Sequence, residues 1–144
     1  MAKKLSKNMF DKIYSKVPRL CVDLVIKDKK GILLTKRDIP KCKGMWHLPG
    51  GTLYINEKIE KAAKRIAKYE TGLKIQINKF LGIKEYSKRS TFWHTISVVY
   101  LVKPIGGNLK GSKEGKDVRY FKKIPKNTIK DQKKILLMYL KLRS

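Results

Sequence analysis

The sequence predicts an α/β domain in which a mixed β-sheet is sandwiched by helices. Three observations predict it. The hydrophobic pattern runs helix, hairpin, helix, strands, helix, an order that lays helices on the faces of a sheet. The chain has 144 residues, 42% of them hydrophobic, enough for one core and too few for two ordinary domains. Neither an internal repeat nor a linker interrupts the pattern, so residues 1–144 read as a single domain.

The elements follow in order. Residues 1–17 hold an amino-terminal helix: from residue 4 onward Leu5, Met9, Phe10, Ile13 and Val17 stand at helical spacing, and Pro18 closes the segment. "RLCVDLVIKD" (19–28) reads as a strand, Lys29-Lys30-Gly31 as a turn and "ILLTKR" (32–37) as its hairpin partner. A loop with Pro40 and Gly44 leads to "MWHLPGG" (45–51), and a helix begins near Glu57. Its apolar stripe of Ile59, Ala62, Ala63, Ile66 and Ala67 is expected to dock on the sheet. Glu57–Lys61 and Glu60–Lys64 are expected as i,i+4 pairs on the wet side, and Gly72 as the left-handed cap. "LKIQINKFLGIKEY" (73–86) and "FWHTISVVYLVK" (92–103) read as strands joined by "SKRST". Residues 104–117, rich in Gly and Lys, read as a loop, "VRYF" (118–121) as a short strand and residues 130–142 as a final amphipathic helix.

Charge narrows the partners. Thirty-six Lys and Arg against eleven Asp and Glu give a formal net charge of +25, a field that draws nucleotides, nucleic acid or acidic lipid. The lysines are scattered over every segment, which is the pattern of a solvated surface; RNA binding stays a minority reading because aromatics are not interleaved with the basic runs. Cys21 and Cys42 have no metal-ligand or CxxC spacing, and no apolar run is long enough for a signal peptide or membrane span, so a reducing cytoplasm is expected.

The segment that carries chemistry is "GGTLYINEKIEKAAKRIAKYETGL" (50–73). Gly51 is followed by five residues, Glu57, seven residues, Arg65, then "IAKYETGL", and "W-x-L-P-G-G" precedes it. This resembles the Nudix box, with matches at Gly51, Glu57, Arg65, Glu70, Gly72 and Leu73; accessory features extend the resemblance from about Val22 to Phe121. In the family, carboxylates of this helix hold Mg²⁺ or Mn²⁺ against a diphosphate, the oxygen ligands a hard cation needs. Here Ile66 and Tyr69 replace two of them, and Glu70 remains. Within the family the sequence is similar to the GDP-mannose mannosyl hydrolase branch, whose box is shortened in the same two places; residues 17–51 carry that similarity, including Asp23 and "L-L-x-K-R" ending at Arg37.

That resemblance implies a Nudix α/β/α sandwich and a metal-dependent hydrolase that cleaves a nucleoside diphosphate sugar by attack at the anomeric carbon. The implied metal ligands are Gly50 or Gly51, Glu70 and Glu114; the implied catalytic residues are Glu70, Arg65 and Glu114. Gly115 stands where the branch has a catalytic His, which leaves Glu114, Asp117 and His94 as alternative bases. Asp23, Arg37, Arg65 and His94 are the substrate-binding candidates: Arg37 for bidentate phosphate contact, Arg65 for phosphate or for orienting Glu57 and Glu70, Asp23 as a strand carboxylate in need of a partner. His47 reads as packing, Phe92 and Trp93 as core or as faces for a base, and Tyr69 as filling the place of the missing Glu. A homodimer through the amino-terminal helix is a reasonable partner expectation. Two further functions stay open: a pyrophosphohydrolase that attacks phosphorus, and a non-catalytic nucleotide- or RNA-binding module.

Overall fold

The computed structural model describes residues 4–39, 42–86 and 93–141. Along the chain stand α1 (Lys7–Tyr14), β1 (Arg19–Asp28), β2 (Gly31–Lys36), β3 (Trp46–His47), β4 (Gly50–Thr52), α2 (Ile59–Thr71), β5 (Leu73–Tyr86), β6 (Thr95–Gly107), β7 (Val118–Phe121) and α3 (Lys130–Lys141). The seven-stranded sheet has the order β3-β2-β1-β6-β5, with β4 paired to β1 and β7 to β2. It is mixed because β1 and β6 run parallel, Arg19–Ile26 beside Thr95–Val102, while the other pairs are antiparallel.

β1 is buried from Cys21 to Ile26, as a strand covered on both faces must be. Val22, Leu24 and Ile26 pack with Ala62, Ala63, Ile66 and Ala67 of α2 on one face. Val25 packs with Trp46, Tyr86, Leu101, Ile135 and Leu136 on the other, beneath α3. The alternation along one strand thus feeds two cores and fixes a three-layer arrangement. Gly72 ends α2 at φ 75, and a Cβ there would run into the Asn108 carbonyl, so only glycine fits.

Several sequence expectations need correction. α1 is shorter than residues 4–17, starting after the Ser6 cap. α2 starts at Ile59, so Glu57 lies before the helix and pairs with Arg65 instead of Lys61. Pro104–Gly107 belongs to β6, not to a loop. β1 runs beside β6 only as far as Val102, so Pro104 has a neighbour on the β5 side alone, the setting in which a strand tolerates a residue without an N–H. Strand β6 starts at Thr95; Phe92 and the "SKRST" connection lie outside the described residues. The two short strands β3 and β4 have no periodicity of their own and owe their pairing to β2 and β1.

Candidate active site

The Gly-Gly turn is where the sheet meets the helix that follows it. Gly50 pairs with Asp23 and Gly51 with Val22, and a Cβ on Gly50 would run into the Asp23 carboxylate. The chain then turns through Tyr54, whose amide donates to Glu57 Oε1 at 3.1 Å. Arg65 grips Glu57 in bidentate fashion, Nε to Oε2 at 2.7 Å and Nη2 to Oε1 at 2.9 Å, and donates to the Thr52 carbonyl at 2.9 Å. Its guanidinium lies 3.8 Å from the Tyr54 ring centroid. Arg65 therefore ties the turn to α2 and does not reach Glu70 by any of these bonds; Glu57, in return, is held below the ordinary carboxylate range by the Arg65 hydrogen bond.

One helical turn on, Glu70 points inward and is only 9% exposed. Burial pushes its carboxyl from the usual 4.5 up to about 7, against the Ser112 hydroxyl and Gly50 amide that favour its charged form, while the charge of Glu114 adds to the rise. Ser112 Oγ donates to Glu70 Oε2 at 2.9 Å. The carboxylates of Glu70 and Glu114, 44 residues apart in sequence (114 − 70), thus share one corner with the Gly-Gly turn.

Tyr69, which the sequence also allows to touch substrate, is 50% exposed and lines the cavity beside Glu114. Its hydroxyl donates to Glu114 Oε2 at 2.9 Å and lies 3.2 Å from Oε1. The Tyr69 phenol is pushed up to about 12 by that carboxylate. Glu114, despite the desolvation that raises it, is held below the usual range by Tyr69, with Lys4 contributing from 3.7 Å.

Gly115 is buried against β2: a Cβ there would meet Thr35 Oγ1 and the Lys36 carbonyl, and the Gly115 carbonyl accepts from Ser112 N at 3.0 Å. Position 115 therefore has no room for a histidine. Of the other bases, Asp117 is engaged by Arg119 at 2.8 Å, and His94 Nε2 lies 2.8 Å from Glu85 Oε2 without lining the cavity described below.

A cavity of about 1190 Å³ opens over this corner, and Asp23, Arg37, Gly50, Gly51, Arg65 and the Glu70–Glu114 pair all line it. Desolvation pushes Arg37 down from its ordinary value, opposed by Cys42 and Glu70. Asp23, 6% exposed, is raised by burial and accepts a 3.0 Å hydrogen bond from Tyr86, a partner the sequence reading did not name. Ser97 stands beside the same carboxyl but outside hydrogen-bond geometry. His47 also lines the cavity; its Nδ1 lies 2.8 Å from the Leu48 carbonyl and so carries the proton, and burial pushes the ring down to about 4, which keeps it neutral.

Among the described residues, no group of three or more His, Cys, Asp or Glu could hold a metal. Two carboxylates of which one is driven toward protonation by burial and by the other are nevertheless a donor set that a hard divalent cation fits, because Mg²⁺ commonly takes one or two carboxylates and leaves its other positions to water and phosphate.

Residues 17–136 match the family model for the NUDIX domain, and the chain belongs to that family. Over 95% of its length it is 32% identical to the ADP-ribose pyrophosphatase of Methanocaldococcus jannaschii, of which it spans 90%. The fold is that of Nudix hydrolases: the NUDIX hydrolase from Nitrosomonas europaea superposes with a TM-score of 0.79 over 89% of this chain and 73% of that one, at 20% identity. A bifunctional NMN adenylyltransferase/ADP ribose pyrophosphatase from Francisella tularensis, in complex with AMP and a Mn ion, superposes with a TM-score of 0.72 over 94% of this chain and 47% of that one, at 24% identity. No helix among the described residues is long and apolar enough to cross a membrane.

Proposed function

We propose that this protein is a divalent-metal-dependent hydrolase that splits a nucleoside diphosphate joined to a second group, such as a sugar, by attack of water at phosphorus. The observation that carries the reading is the pairing of Glu70 with Glu114 beside the Gly-Gly turn, in a corner where residue 115 has no room for a side chain. Attack at the anomeric carbon, as the GDP-mannose mannosyl hydrolase resemblance implies, calls for a base on the sugar side; attack at phosphorus needs only carboxylates and cations around the diphosphate. The name of the Methanocaldococcus jannaschii relative, ADP-ribose pyrophosphatase, supports the same reading.

Glu70, Glu114 and the Gly50 or Gly51 backbone would hold Mg²⁺ or Mn²⁺, which when bound supplies positive charge to the diphosphate. Arg37 faces the same cavity and adds a cation suited to phosphate oxygens. Arg65 acts as a positioning residue through Glu57 and the Thr52 carbonyl. Glu114, held in its charged form and oriented by Tyr69, supports the role of base toward water through the oxygen it does not give to the cation.

The sugar-transfer reading keeps one observation in its favour: Ile66 and Tyr69 stand at the two positions where that branch lacks carboxylates. Incubation with ADP-ribose and with GDP-mannose in ¹⁸O-water and Mg²⁺, followed by mass spectrometry, separates the two. The expected products are monophosphates with label in phosphate. Label in the sugar with an intact nucleoside diphosphate would refute attack at phosphorus, and turnover of neither compound would point to the nucleotide-binding module.

A further inference from the structure

We propose that α1 and Arg19 form the subsite for the nucleobase of the substrate, an inference that rests on the nucleoside diphosphate reading above. An amphipathic helix ordinarily lays its apolar stripe on the core. α1 buries none of its residues; instead Phe10, Ile13 and Tyr14, with Leu5 just before the helix, line the cavity. The Phe10 and Tyr14 rings meet edge to face, 4.7 Å between centroids.

Arg19, at the start of β1, lines the cavity as well and packs on the Phe10 ring. Nε donates to Thr95 Oγ1 at 3.3 Å and Nη1 to Thr52 Oγ1 at 3.2 Å, and the guanidinium sits 5.4 Å from the Phe10 centroid. Its hydrogen-bond partners are neutral hydroxyls, and among the described residues it makes no ion pair. Of the five N–H donors a guanidinium carries, two are used among the described residues.

Two aromatic rings and a donor-only cation in contact with one of them suit a planar heterocycle with acceptor atoms on its edge. A sugar stacks only a C–H face and brings hydroxyls that need acceptors as well as donors, which two aromatic rings and a donor-only guanidinium do not supply. The placement fits as well. Lys4 Nζ lies 3.7 Å from Glu114, and the chain from Lys4 to Phe10, a short extended stretch and one helical turn, spans at most about 15 Å. That is the reach of a nucleoside diphosphate whose phosphates lie at the Glu70–Glu114 corner.

Calorimetric titration of the full chain with GDP, ADP and inorganic pyrophosphate tests this. Phe10 is half-buried in a helix that has no fully buried residue, so Phe10→Leu is expected to keep the fold, and its melting curve checks this. The substitution is expected to weaken both nucleotides by about tenfold or more and to leave pyrophosphate within about twofold. Arg19→Gln is expected to behave likewise. Unchanged nucleotide affinity in Phe10→Leu, or a parallel loss of pyrophosphate in either variant, would overturn the subsite. The ligands carry no second group to be split off, so this result is independent of the ¹⁸O experiment: sugar labelling would end the phosphorus reading and leave the subsite standing.

Discussion

Glu70→Gln is the perturbation whose magnitude can be worked from the structure. In the fold the Glu70 carboxyl ionises near 7, against 4.5 when exposed. A raised acid keeps its proton longer in the folded chain than in the unfolded one, so its contribution is fully present below about pH 4.5 and is lost as pH rises through 7. The difference, 7 − 4.5 = 2.5, corresponds at about 1.36 kcal/mol per unit to roughly 3 kcal/mol. Glutamine keeps an oxygen to accept from Ser112 and the Gly50 amide but carries no charge. With a chelator present, wild-type protein should lose that stability between about pH 4.5 and 8 relative to Glu70→Gln, and the variant should melt roughly 10 °C higher at pH 8. Asp23 and His47, which also titrate abnormally, are common to both chains and cancel in the comparison. Scanning calorimetry from pH 5 to 8 reads the difference directly. Mg²⁺ should then raise the melting point of wild type and not of the variant, by ligand linkage. Parallel pH profiles, or a variant less stable than wild type at pH 8, would refute the reasoning.

Two further outcomes can be checked. Tyr69→Phe removes the hydroxyl that orients Glu114, so Mg²⁺ dependence of turnover should shift to about tenfold higher concentration with the melting point nearly unchanged; identical Mg²⁺ titrations would rule the tether out. Gly115→Ala places a methyl against Thr35 and Lys36, and urea denaturation should show a loss of about 1–3 kcal/mol. A variant as stable as wild type would mean the loop does not pack as described.

Local order is legible in the sequence where it is set by near neighbours. Strands β5 and β7 fall on the residues that alternation and turn signals mark, and Gly72 takes the left-handed cap its place after Thr71 implies. The stripe of Ala62, Ala63, Ile66 and Ala67 is buried as its spacing requires. What spacing does not reveal is anything decided by a distant segment. Pro104–Gly107 extends β6 because β5 is its neighbour, although the pairing of β6 with β1 has already ended at Val102. Glu57 has Lys61 in helical register only if the helix includes it, and Arg65 captures it instead. The site divides in the same way. Glu70, Gly50 and Arg37 follow from the motif, whereas the Tyr69–Glu114 tether, the Tyr86–Asp23 bond and the crowding around Gly115 each join residues dozens of positions apart. Arg19 carries no signal at all in sequence, since its distinction lies in bonding two threonines and packing on a ring, without an ion pair among the described residues.

The parallel pairing of β1 with β6 has a consequence for how the protein comes into being. Arg19 and Thr95, which bond across it, are 76 residues apart, more than half the chain. Closing a loop of that length precedes any gain from the contacts it allows, and parallel pairs of this kind form slowly. β1 also carries Asp23 and holds β4 with its glycines, so the floor of the cavity exists only once that closure is complete. A nascent or partly unfolded chain can keep α2 and its Glu70 while offering no cavity floor to bind against. Ligand affinity therefore reports on whether this closure has formed as well as on the site, and a ligand present during refolding can stabilise only molecules in which it has.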